Sequence, residues 1–161
     1  MSPLLSVEHL SISFIQYDRG TSRRILPAIR DLDLTIDRGQ VAAVVGSSGS
    51  GKSLLAHGIL GILPYNAHME GTITYDGAPL TPKRAAALRG REIVLVPQSV
   101  GYLDPLMKVG PQVGRDKKAV RAVLDRYGLG PETEGLYPFQ LSGGMARRVL
   151  ISTAVAASPA L

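Results

Sequence analysis

Residues 46 to 53, Gly46-Ser47-Ser48-Gly49-Ser50-Gly51-Lys52-Ser53, place three glycines, four serines and one lysine behind the apolar run Val41-Ala42-Ala43-Val44-Val45. The spacing is GxxxxGK[ST], and each residue type has a physical reason. A phosphate chain needs several N–H donors converging on its oxygens, and only glycine lets a backbone curl tightly enough to aim them. A helix beginning near Gly51 adds the positive end of its dipole at the same place. Lys52 supplies a cation for the outer phosphates, and the hydroxyl of Ser53 supplies a hard oxygen ligand for Mg²⁺. Strand, glycine loop and helix are the context that this chemistry requires. They set the loop apart from a flexible serine–glycine turn.

A second cluster lies downstream. Leu141-Ser142-Gly143-Gly144-Met145 opens a helical segment that carries Arg147 and Arg148 in its first turns. On its own it reads as a serine N-cap followed by glycines, again a set of N–H donors at a helix start. Between the two clusters Gln98 follows the apolar run Ile93-Val94-Leu95-Val96.

The elements that must hold these residues follow from periodicity. Ser6–Ile15 and Ile29–Ile36 alternate as half-buried strands of an antiparallel unit, with a polar loop at 16–24 between them. Residues 41–45 and 91–98 read as strands covered on both faces. Residues 53–63 have helical spacing and stop before Pro64. Residues 71–80 read as strand with an Asp76-Gly77 turn, and 81–90 as a short helix. The spacing of Ala119, Val120, Val123, Leu124 and Tyr127 predicts a helix over 115–127 ended by Gly128, and a last helix runs from 141 to about 157.

The 161 residues carry 18 Lys+Arg against 13 Asp+Glu, a net charge of +5, without a basic tail of the kind that grips nucleic acid. There is no cysteine, which excludes disulfides, thiolate metal sites and a cysteine nucleophile. His9, His57 and His68 are scattered and read as structural or surface residues. The N-terminus lacks a signal-peptide pattern, and no apolar stretch approaches membrane-spanning length, so the expectation is a cytoplasmic chain.

The order of the glycine loop, Gln98 and the LSGG cluster resembles the nucleotide-binding subunit of ABC transporters from about residue 5 onward. The resemblance implies an α/β fold: a mostly parallel sheet with flanking helices, an antiparallel N-terminal β subdomain and a small helical subdomain. Residues 1–161 then form a single nucleotide-binding domain, with the β and P-loop core over about 1–98 and the helical subdomain over about 99–157. It implies ATP and Mg²⁺ as cofactors and a head-to-tail dimer with a second such subunit. Ser142, Gly143 and Gly144 would then face the γ-phosphate of a partner's ATP. Gln98 would reach the Mg²⁺ or the attacking water, Lys52 would hold the outer phosphates, and Gln98's loop would meet transmembrane permease subunits. Adenine stacks on an aromatic in such proteins. Phe14 stands at the expected position, with Tyr17 as runner-up and core packing as the other role for Phe14.

Met145 in the signature, the preceding Tyr137-Pro138-Phe139-Gln140, the stretch 99–113 and Gly61-Ile62-Leu63-Pro64 resemble the peptide and nickel importer branch. That branch implies an ATPase on the inner face of the cell membrane that imports peptides, nickel or metal chelates, supplied indirectly by a substrate-binding protein. Non-transport relatives that act on DNA or ribosomes generally carry two cassettes or a long insert, and neither is seen here.

The family pattern continues with a strand ending in Asp-Glu and a later loop histidine. Ser158-Pro159-Ala160-Leu161 stands where that strand is expected, and no Asp-Glu pair occurs in the sequence. The expectation is therefore an N-terminal portion of a larger ATPase, one that binds nucleotide without hydrolysing it alone and is marginally stable in isolation.

Overall fold

The computed structural model describes residues 3–17 and 23–161, which fall into two compact units, Met1–Leu88 and Arg89–Leu161. The expected polar loop at 16–24 lies in large part outside the described residues.

In the first unit β1 (Leu5–Tyr17), β2 (Arg23–Ile36), β3 (Ala67–Tyr75) and β4 (Ala78–Pro79) form a four-stranded sheet in the order β2-β1-β3-β4. All its strand pairings are antiparallel. β2 starts at Arg23, well before the apolar alternation at Ile29. It is an edge strand, so Pro27 removes no ladder bond that the sheet needs.

The inward set of β1 changes parity. Leu5 and Val7 are buried, and then Leu10 and Ile12. The change falls where the register of β1 against both neighbours shifts, at a bulge that contains His9. His9 (φ 51) and Asp31 across the strand pair (φ 48) both take left-handed backbone, a rare conformation for non-glycine residues. Side chains satisfy the backbone that the bulge frees. His9 N–H donates to Asp33 Oδ1 at 2.7 Å, and Asp31 N–H donates to Ser11 Oγ at 3.0 Å. His9 Nδ1 lies 2.8 Å from Asp31 Oδ1. On the far side Gly71 (φ +102) makes room, since a β-carbon there would sit 2.6 Å from the carbonyl oxygen of His9.

α1 (Lys52–Leu60) buries Leu55, Ile59 and Leu60, and ends at Gly61 in left-handed conformation, whose N–H bonds Gly58 O at 3.0 Å. The Asp76-Gly77 turn has both φ values positive, as a tight hairpin connection demands. α2 (Pro82–Leu88) follows, its only fully buried residue being Ala85.

In the second unit α3 (Val109–Val113), α4 (Lys117–Arg126) and α5 (Gly143–Val155) pack round one apolar cluster. Val120 and Leu124 of α4 meet Val149 and Leu150 of α5 there, with Val109 and Val113 of α3 closing the cluster. Asp116 caps α4 by accepting from Lys118 N–H at 2.9 Å. Arg148 of α5 caps its other end, donating to Tyr127 O at 3.1 Å and Gly128 O at 3.0 Å.

The parallel sheet expected from 41–45 and 91–98 is not built among the described residues. Val41 and Val45 are 94% and 92% exposed, and their segment runs without a strand ladder. Residues 92–94 make one parallel bridge, Arg89 to Ile93, and bond 160–161 through Ala160 N–H to Glu92 O at 2.9 Å and Val94 N–H to Leu161 O at 3.0 Å. An apolar run becomes a strand only when a neighbour satisfies its N–H and C=O groups, and the described residues offer these segments no more than that.

Two predictions come from this packing. Thr133 is fully buried and its hydroxyl has no hydrogen-bond partner among the described residues. Thr133→Val should raise unfolding stability by about 1 kcal/mol, and Thr133→Ser should not, in urea denaturation; a loss of stability in Thr133→Val would show that the hydroxyl is satisfied. The hydrogen bond to Asp31, then the charges of Asp33 and Asp31, raise the pKa of His9 above 6.5. A raised folded value means that protonation supports the fold below about pH 6.5, and that this support fades as pH climbs through the raised value. Proton NMR of the His9 ring should therefore titrate above 6.5, and the melting difference between wild type and His9→Ala should shrink on going from pH 5.5 to pH 8.5; an ordinary titration with a constant difference would count against the pairing.

Candidate functional site

The loop Gly46–Ser53 curls in front of α1. Ser50 N–H bonds Ser47 O at 3.2 Å, and the helix starts with Leu55 N–H to Gly51 O at 3.1 Å. One glycine is constrained by both conformation and space. Gly51 has φ +90, and a β-carbon there would lie 3.0 Å from both Ala28 O and Ile29 Cγ1. A β-carbon at Gly46 would lie 2.6 Å from Ser50 Oγ, the end of a side chain that can rotate away. Gly49, at φ +82, faces open space, so its backbone conformation alone selects glycine.

Gly51 is the N-cap residue of α1, with no side-chain capping bond. The N–H groups of the first turn, those of Lys52 and Ser53 included, therefore point out of the helix end with no capping acceptor. Lys52 folds back over the loop: Nζ donates to Gly46 O at 2.8 Å, Ser47 O at 2.6 Å and Ser50 Oγ at 3.2 Å. Ser47, Ser48, Ser50 and Ser53 are exposed. The loop and β2 enclose a cavity of about 290 Å³, walled by Gly46, Ser50, Gly51 and Lys52 on one side and by Ala28 to Arg30 and Leu32 on the other. No carboxylate lines it. Such a cradle of glycine backbone, uncapped helix end and ammonium group accepts an anion with several oxygens.

Phe14 is half-buried in β1, in register with Leu26 of β2 and Ala67 of β3, and does not line the cavity. Tyr17 is 65% exposed, and the Arg23 guanidinium lies 5.7 Å over its ring.

The second unit holds the other sequence-predicted residues. Ser142 is the N-cap of α5 and its Oγ accepts from Met145 N–H at 3.3 Å. The first helical bond is Ala146 N–H to Ser142 O at 2.9 Å, so the N–H groups of Gly143 and Gly144 precede the ladder. Both glycines are exposed, with nothing within 4 Å of where a β-carbon would stand. Gln98 is exposed at a bend, and its carbonyl accepts from Arg147 Nη1 at 3.5 Å.

Sequence reasoning had no signal for the contacts of three neighbours of these sites. Arg30 reaches the cavity wall from β2, where a charged residue on an edge strand looks like ordinary surface. Arg147 links the signature helix to the Gln98 backbone across 49 positions of sequence. Gln112 pins the turn after Gln98, accepting from Asp104 N–H at 2.8 Å while donating to Asp104 O at 3.0 Å and Met107 O at 2.7 Å. Among the described residues, no cluster of His, Asp and Glu is arranged to hold a metal by itself.

Comparison with known proteins adds an independent line. The oligopeptide transport ATP-binding protein OppD of Haemophilus influenzae is 34% identical over 180 residues, covering 100% of this chain and 54% of that protein. The dipeptide transport ATP-binding protein DppD of Bacillus subtilis is 34% identical, covering 99% of this chain and 52% of its own length. The lipoprotein-releasing system ATP-binding protein LolD of Bordetella pertussis is 37% identical over 171 residues, covering 98% of this chain and 70% of LolD. The chain thus spans about half the length of the peptide-transport relatives it matches.

Among solved structures, the ATP-binding cassette MJ0796, dimeric and bound to ADP and Pi, superposes with a TM-score of 0.77 at 25% identity over 96% of this chain and 70% of that one. CbiO1 from Clostridium perfringens, part of the ABC transporter complex cbiONQ, superposes with a TM-score of 0.68 at 25% identity, over 99% of this chain and 63% of its own. The family model described as ABC transporter matches residues 29–161, a span that takes in the later part of β2, the glycine loop, Gln98 and the LSGG helix. The chain belongs to the ABC transporter family, as its ATP-binding domain.

Proposed function

We propose that this chain is the nucleotide-binding part of an ATPase that powers import of peptides, nickel or metal chelates across the cell membrane. The observation that carries the reading is the cradle at Gly46–Ser53, where Gly49 and Gly51 take left-handed backbone, Gly51 lies tight against β2 and an uncapped helix begins beside Lys52. ATP fits this donor set. Its outer phosphates would take the first-turn N–H groups and Lys52, and the Ser53 hydroxyl would hold Mg²⁺, which supplies charge neutralisation between phosphates when bound. Lys52 must exchange its bonds to Gly46 O, Ser47 O and Ser50 Oγ for phosphate oxygens, so binding opens the loop from within.

Ser142, Gly143 and Gly144 would complete the site of a second cassette in a head-to-tail dimer. The Ser142 oxygen already accepts from Met145 N–H, which leaves its proton free to donate to a γ-phosphate. Gln98 would serve the Mg²⁺ or the attacking water, and its loop would meet transmembrane permease subunits. Phe14 would offer a face to adenine. Among the described residues no helix is long and apolar enough to cross a membrane, which suits a subunit held at the inner face by its partners.

The likeness to OppD and DppD supports the peptide branch. The likeness to LolD favours a second reading, lipoprotein release, in which the same cassette drives a different permease.

In calorimetry with ATP and Mg²⁺, Lys52→Ala should weaken binding at least tenfold, about 1.4 kcal/mol, and Ser53→Ala should remove most of the Mg²⁺ dependence. Equal affinity in wild type and Lys52→Ala would sink the reading. In cells carrying the cognate permease, Lys52→Ala should stop peptide or nickel uptake; arrested lipoprotein release with normal uptake would select the second reading.

A further inference from the structure

The cavity beside the glycine loop holds two cations, Lys52 and Arg30, and their states differ. An ammonium has three N–H donors, and Lys52 spends all three on Gly46 O, Ser47 O and Ser50 Oγ. An incoming anion must compete with three oxygens of the loop for that one cation. Arg30 is exposed on β2 and its side chain makes no hydrogen bond or ion pair among the described residues. Its guanidinium carries five N–H donors in a planar fork that matches phosphate geometry.

The strand beneath it is tied to the loop. Ile29 is buried beside it and packs where Gly51 comes closest to β2, so the backbone on which Arg30 stands touches the start of α1. Asp31, the carboxylate next in sequence, is occupied with His9 Nδ1 at 2.8 Å. No acid on the cavity wall neutralises Arg30, and the remaining wall near it is apolar, formed by Ile29, Leu32 and Val44.

We propose that Arg30 is a second phosphate-binding cation of the nucleotide site, taking up an oxygen of the phosphate chain from the β2 side while the helix end and Lys52 hold it from the other. This rests on the reading of Gly46–Ser53 as the nucleotide cradle and adds a residue that the P-loop pattern does not contain. The guanidinium is the pre-formed electrostatic element. It attracts the phosphates before Lys52 has released the loop, and the β2 strand thereby becomes part of the ligand site.

The test is binding of ATP, ADP, AMP and adenosine to wild type, Arg30→Ala, Arg30→Lys and Lys52→Ala, by calorimetry at two salt concentrations. Arg30→Ala should weaken ATP and ADP about tenfold, equivalent to about 1.4 kcal/mol, weaken AMP less, and leave adenosine unchanged. Arg30→Lys should recover part of the loss, and the salt dependence of ATP binding should be shallower in Arg30→Ala. Unchanged melting of Arg30→Ala, expected for an exposed strand position, separates binding from folding. Equal ATP affinity in wild type and Arg30→Ala, with Lys52→Ala weakened, overturns the role of Arg30 and leaves the cradle standing. Equal loss for adenosine and ATP also overturns it, because the contact is then not to phosphate. No ATP binding by the wild-type chain removes both readings together.

Discussion

Everything in the first unit that bears on ligand chemistry depends on one close approach, that of the Gly51 backbone to Ala28 and Ile29 of β2. A β-carbon at Gly51 would stand 3.0 Å from the Ala28 carbonyl and from Ile29 Cγ1, tighter than nearly all real side-chain contacts. The helix starts there at φ +90, a conformation that side chains rarely adopt, in a gap that leaves little room for one. Serine or aspartate, the usual N-caps, would serve the helix better and spoil the site. Each would place an acceptor on the N–H groups that an anion must use. The constraint that brings the loop against the sheet is thus the same one that leaves the helix end unsatisfied.

For that approach to be reproducible, β2 has to be held in one register. A strand pair can slip, and a slip of one residue exchanges the buried and exposed faces. The double irregularity at His9 and Asp31 prevents this. Leu5 and Val7 share their inward face with Leu10 and Ile12 only if one residue between them is bulged out, and the bonds of His9, Asp33 and Ser11 fix which one. Moving the bulge would bring Ala28 and Ile29 out of line with Gly51. Left-handed backbone at two residues outside the loop therefore belongs to the geometry of the loop.

The glycine loop, Gln98 and the LSGG cluster were legible in the sequence because their residue types are dictated locally, by backbone conformation and by donor chemistry. Helices α1, α4 and α5 were legible for the same reason: the 3.6 periodicity and the glycine stops lie within the segment itself. The bulge was not legible, since His9 and Asp31 lie 22 positions apart and nothing in either segment alone marks a left-handed residue. The short helix α3 carries a proline and two residues that pack only against other elements, so its signal is tertiary. The parallel strands at 41–45 and 91–98 were read from apolar composition, which records a demand for burial without supplying the neighbouring strand that meets it. Arg30 escaped notice for a related reason: its role depends on what lies across a cavity, and the sequence shows only what lies along the strand.

The second unit solves a similar positioning problem with charge where the first uses steric exclusion. Ser142 and the two glycines are exposed and touch almost nothing, so their direction is set entirely by the helix they begin. α5 is anchored by Val149 and Leu150 in the apolar cluster, but burial alone permits a helix to rotate or slide by fractions of a turn. The two consecutive arginines remove that freedom. Arg148 locks onto the carbonyl end of α4 through Tyr127 O and Gly128 O, and Arg147 reaches the Gln98 carbonyl on another side. Side chains at adjacent helical positions diverge by about 100°, so two such tethers fix rotation as one could not. The Arg147 bond, at 3.5 Å, is the weaker of the two. The two bonds of Arg148 to the end of α4 therefore carry most of the restraint on how α5, and the glycines at its start, are turned.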